Sequence, residues 1–127
     1  DLLMRDAAPE VVLAMVKTVS TRRLASQRPA VLALLNHPDI TVRSEALRSI
    51  TTLDPLNAPS RLSSVLMREP AVELRLVAAE LAPFNGTPQV ISALRGAAQN
   101  DSDTRVKLAA DAALRRLGIT SQPRRIR

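Results

Sequence analysis

The sequence predicts an all-α fold made of stacked helical hairpins. Three observations carry that expectation. First, the chain repeats itself: a shift of 32 residues carries Val42-Arg43 onto Leu74-Arg75, and a second such shift reaches Val106-Lys107. Ala46 falls on Ala78 and Ala110, and Ile50 on Ala82 and Leu114. A period in this range marks stacked supersecondary units, each unable to bury its apolar face alone. Second, the apolar residues of each repeat follow helical spacing, and no stretch alternates with period two. Third, the composition is 46% hydrophobic with one aromatic residue, Phe84. The core must therefore be built from Ala, Val, Leu and Ile, which suit close helix packing.

The elements follow in order. "DAAPEVV" (6–12) matches the later turns with a shift of 31, so Val11 corresponds to Val42 and Val19 to Ile50. Leu3 and Met4 then correspond to Leu34 and Leu35, and the first hairpin is truncated, with its second helix at about 9–22. The second hairpin has helices at 29–35 and 40–53 around the turn "NHPDITVR" (36–43). Pro29 suits the first helical turn, where a missing amide is harmless, and Asp39 is a candidate N-cap. The third has helices at 61–67 and 72–83 around "REPAVELR" (68–75), ended by Pro83 and Gly86. The fourth has helices at 88–98 and 104–117 around "NDSDTRVK" (100–107). Thr87 and Pro88 open it, Asp103 is the second cap, and Gly118 occupies the C′ position. The expected domain is 1–118. Residues 119–127 form a basic tail, and the opening at Asp1 inside an apolar pattern reads as a fragment of a longer protein.

The turns and second helices resemble the short HEAT-like repeat of bacterial and archaeal proteins, the kind also found in phycobilisome lyases. Its pattern is Asp-Pro-Asp-Pro-x-Val-Arg, then an Ala-rich helix, often with Leu-Gly. "HPDITVRSEAL" supplies Pro38, Asp39, Val42, Arg43 and Ala46. "EPAVELRLVAAEL" supplies Pro70, Leu74, Arg75, Ala78 and Ala79. "DSDTRVKLAADAALRRLG" supplies Asp101, Asp103, Val106, Lys107, Ala109, Ala110, Leu117 and Gly118. The first repeat departs, with Val12 in the arginine position. The tetratricopeptide pattern is excluded by the lack of Trp and Tyr, and the ankyrin Thr-Pro-Leu-His is missing.

The resemblance implies a right-handed α-α superhelix. It also implies a hydrogen-bonded ladder in which Arg43, Arg75 and Lys107 are the cations and Asp39 and Asp103 the matching acids. Ala71 stands where an acid should be, so the ladder is expected to be interrupted there. Lys107 lacks the bidentate fork of arginine, so its rung is expected to be weaker. Arg43→Ala is expected to lower stability.

Candidate chemistry is sparse. His37 is the single histidine and there is no cysteine, so no ligand set for a transition metal can be assembled around it. It reads as a solvated turn residue. Gly86, Gly96 and Gly118 are scattered and form no phosphate loop. Asp101 and Asp103 read as helix caps before they read as a cation site. Phe84 reads as filling between helices. No catalytic, cofactor or metal residue is assigned, and the chain is not expected to be an enzyme.

The expected function is a noncatalytic protein-interaction scaffold whose second helices line a concave surface. Glu45, Arg48, Val77, Glu80 and Arg116 are the outward candidates there, since they differ between repeats. The alternative partner is nucleic acid. The net charge is +6, and basic clusters stand at Arg22-Arg23-Arg28, Arg115-Arg116 and Arg124-Arg125-Arg127. A dedicated nucleic-acid binder concentrates such residues on one face, and no Trp or Tyr is present to stack a base. A bilin-handling, lyase-like subunit is the third expectation and rests on the resemblance alone. Uncovered Leu2, Leu3 and Met4 predict end-to-end self-association through the first repeat. No apolar run reaches the length of a membrane span, no secretory signal is visible, and the expected compartment is the cytoplasm.

Overall fold

The computed structural model describes residues 8–22 and 25–119. Seven α-helices form among them: α1 (Pro9–Arg22), α2 (Arg28–Leu34), α3 (Ile40–Leu53), α4 (Ala58–Arg68), α5 (Val72–Leu81), α6 (Pro88–Asn100) and α7 (Thr104–Arg116). Short 3₁₀ turns cover Ala25–Gln27 and Ala82–Asn85, and no strand occurs among the described residues. No helix among them is long and apolar enough to cross a membrane. The fold is all-α, as the periodicity predicts.

The chain divides into two compact units between Ala58 and Pro59. In the N-terminal unit α3 packs against both α1 and α2. Val12 and Val16 of α1, Val31 of α2, and Val42, Ala46 and Ile50 of α3 are fully buried. In the C-terminal unit α7 packs in the same way against α5 and α6. Leu62 of α4, Leu94 of α6 and Leu114 of α7 are its largest wholly buried side chains. The nine residues that define the 32-residue repeat, from Val42, Leu74 and Val106 to Ile50, Ala82 and Leu114, are all buried. The repeat is thus a repeat of core positions, because each hairpin seats the same three turns of its second helix.

Local chemistry sets the helix ends. The Asp39 carboxylate accepts the amide of Thr41 at 2.8 Å and that of Val42 at 3.4 Å, and Thr41 Oγ1 donates to it as well. Asp103 accepts the amide of Arg105 at 2.8 Å. Thr87 Oγ1 accepts the amide of Val90, with Pro88 at the first helical position. Each bond satisfies one of the orphan donors of a first turn. At the other end of α7, Ile119 donates to Leu114 and Gly118 to Arg115, with Gly118 at φ 74°. That is a Schellman closure, and its left-handed residue favours glycine. Helix α5 stops at Leu81 rather than reaching 83. The Pro83 ring cannot follow an α-helical turn without meeting the carbonyl four residues back, so the chain tightens to 3₁₀ from Ala82.

The same tightening decides Phe84. It was expected among the helices but is 80% exposed. Ala82, fully buried, takes the inward place. A residue two positions further on a 3₁₀ turn points away from it.

The caps carry a pH dependence. Hydrogen bonds from the Thr41 side chain, and then from its amide, hold the Asp39 carboxyl below 3.8. The Arg105 side chain, then its amide, does the same for Asp103. A carboxyl depressed in the folded state stabilises fully above its unfolded value and loses that contribution as pH falls through the folded one. Thermal stability is therefore expected to hold from neutral pH down to about 4 and to decline below that. In Asp39→Asn with Asp103→Asn the decline below pH 4 should be shallower, which circular-dichroism melts across the acid range will measure.

Candidate functional site

The turns before α3, α5 and α7 are built alike, although their side chains differ. Asp39 donates its amide to His37 Nδ1 at 3.0 Å, Ala71 to Glu69 Oε2 at 2.9 Å, and Asp103 to Asp101 Oδ1 at 2.9 Å. His37, Glu69 and Asp101 stand in the same repeat position, and each closes a loop onto the amide two residues on. His37 is thus half-buried and engaged through its ring, not simply solvated. Accepting at Nδ1 places the ring proton on Nε2.

Asp101 does more than close its turn. Arg75 rises from α5 and is 9% exposed. Its Nε donates to Asp101 Oδ2 at 3.0 Å and its Nη2 to Oδ1 at 3.1 Å, a two-pronged ion pair. Its Nη1 donates to the carbonyls of Glu69 and Pro70 at 2.8 and 3.0 Å. The guanidinium thereby caps the chain leaving α4 and grips the turn leaving α6. The paired side chains are only 10% and 6% exposed. Burial in so low a dielectric makes such a pair costly to break.

This corrects the expected ladder. The acid that meets Arg75 is Asp101, from the start of the next turn. Asp103 is spent on its own helix: besides the Arg105 amide it accepts Arg105 Nε at 3.2 Å and Nη2 at 3.1 Å. An N-cap carboxylate faces the first-turn amides and cannot also reach back across the hairpin. For the same reason Ala71 does not leave Arg75 without an acid. Arg43 on α3 and Lys107 on α7 occupy the equivalent helix position and are half-buried.

The expected interaction surface is also only partly exposed. Val77 is buried at 8%, one face with Leu74 and Ala78 in the core, and is withdrawn from the surface. Glu45 and Arg48 are half-buried on α3, and Glu80 and Arg116 are exposed on α5 and α7. Arg115 approaches Asp111 at 3.7 Å. Arg23, Arg124, Arg125, Arg127, Leu2, Leu3 and Met4 lie outside the described residues.

The open feature of the C-terminal unit is a groove of about 670 Å³ on the first-helix side. Helix α6 supplies one wall with Gln89, Ser92, Ala93, Gly96, Ala97 and Asn100. These recur every three or four residues and so form one face of the helix. The end of α4 supplies the other wall through Leu66, Met67 and Arg68, and the Arg75–Asp101 pair closes one end. Ala93, Ala97 and Leu66 are buried at its floor, while Met67 is 69% exposed. None of the surface residues expected from the repeats lines it. The signal in the sequence was Gly96, a glycine inside a strongly helical pattern.

Gly96 invites a direct check. A Cβ built there meets nothing within 4 Å. Gly96→Ala is expected to stabilise the protein by about 0.8–1 kcal/mol, the difference in helix propensity, and chemical denaturation will read it.

Among the described residues no three His, Cys, Asp or Glu side chains gather as a metal site. Comparison with known proteins returns no matching family model, no matching curated protein and no matching solved structure.

Proposed function

We propose that this chain is a HEAT-like repeat solenoid acting as a noncatalytic protein-interaction scaffold. One observation carries the interaction reading: a groove running three turns along α6, floored by small apolar side chains and overlooked by an exposed methionine. Such a groove suits an apolar helix face, and methionine adapts to varied partners. The solenoid reading is supported by the recurring core positions, by the recurring turn, and by the packing of second helix on second helix within each unit.

The test is selection of binders from a library of amphipathic helical peptides. Binders are expected, and Gly96→Leu, which fills the groove from a position with open space around it, should weaken them about tenfold or more. Binders indifferent to that change would place the interaction elsewhere. For nucleic acid, the expected result is no salt-sensitive binding to random DNA or RNA. A steep loss of affinity with rising salt would restore that alternative.

A further inference from the structure

We propose that the occupant of the α4/α6 groove is a second copy of the same chain, in a two-fold dimer centred on Gly96 with Met67 as the inserted side chain. The inference rests on reading the groove as a protein-binding surface.

The first support is Gly96 itself. It sits inside the 13-residue helix α6, where glycine is the least favourable residue after proline. Nothing within the chain requires it, since a Cβ would meet no atom within 4 Å. A missing side chain on an open helix face suits the close approach of another backbone. Ser92 and Gly96, with Ala93 and Ala97, give α6 the small surface on which a second helix can lie close.

The second support is that knob and hole share one patch. Met67 stands 69% exposed on the rim of the groove that holds Gly96. A two-fold interface requires a surface complementary to itself, in which residue i meets j while j meets i. Met67 of each copy can enter the space beside Gly96 of the other. Two antiparallel α6 helices crossing at Gly96 also bring Ser92 of one opposite Asn100 of the other, because both lie four residues from the centre. The hydroxyl and the amide are hydrogen-bonding partners, and the pairing occurs twice.

The third support is charge. A chain of net charge +6 repels its own copy. The charged residues lining this groove are Arg68 and Arg75 against Glu69 and Asp101, and they cancel. Two of them are already joined in the buried pair. Self-contact here meets less repulsion than the chain as a whole would impose.

Sedimentation equilibrium over a wide concentration range tests the proposal. The expected result is a monomer–dimer equilibrium that Met67→Glu and Gly96→Trp each weaken about tenfold or more. Both positions face open space, and thermal melts of the variants will establish that they fold. The chain has no cysteine, so Met67→Cys and Gly96→Cys are unique thiols. Mixing the two variants under oxidising conditions should yield a 67–96 disulfide between copies. A monomer at every concentration, a dimer indifferent to both substitutions, or no mixed disulfide would overturn it. A monomer whose groove still captures helical peptides through Gly96 would overturn the dimer alone and leave the scaffold reading standing.

Discussion

Replacing Arg75 with alanine is expected to remove about 3–5 kcal/mol of folding stability, the range for breaking a buried ion pair from one side. The loss has two sources. Asp101, 6% exposed as a side chain, would be left charged and facing the space its partner vacated. The carbonyls of Glu69 and Pro70 would lose the Nη1 donor that satisfies them. Arg75→Lys should fall short of repair, because an ammonium cannot present a fork to the carboxylate and reach two carbonyls together. Urea unfolding of Arg75→Ala, Asp101→Ala and the double variant will measure the coupling. The double variant should lose clearly less than the sum of the singles, since removing both charges removes the stranded one. A loss in Arg75→Ala of under about 1 kcal/mol is the value of an exposed pair, and would mean that the pair is not held as described.

Leu94→Ala is the second large effect, expected at about 2–5 kcal/mol. Leu94 is wholly buried on α6, two residues from Gly96. Its loss removes apolar burial and leaves a cavity that a helix held by its neighbours cannot close. The two positions together make a sharper statement than either alone. On one helix, two residues apart, one enlargement should stabilise and one truncation should destabilise strongly. The sign depends only on which side of α6 faces the core. Equilibrium denaturation of Leu94→Ala and Gly96→Ala, each against the parent, will decide it.

Much of the fold was legible because helical periodicity and capping are local. The caps Asp39, Asp103 and Thr87 fall where a short acceptor precedes an apolar run, and they cap as read. Helix α3 spans the predicted 40–53. The misses share a cause. Phe84 and Val77 were assigned from residue type and from differences between repeats, whereas exposure follows from rotation about a helix or turn. Val77 continues the stripe of Leu74 and Ala78 and is buried, and Phe84 lies two residues past the inward Ala82 and is exposed.

The sequence by itself determined the all-α class, the placement of the helices and the recurring core positions, because a 32-residue period of aliphatic residues with caps leaves each hairpin one way to bury its face. Only the tertiary structure decided which acid meets Arg75 and where the chain is open. The repeat names Asp101 and Asp103 equally, and separating them takes the direction in which each carboxylate points. The groove exists because α4 and α6 leave space between small side chains, and space between helices is written in no single helix.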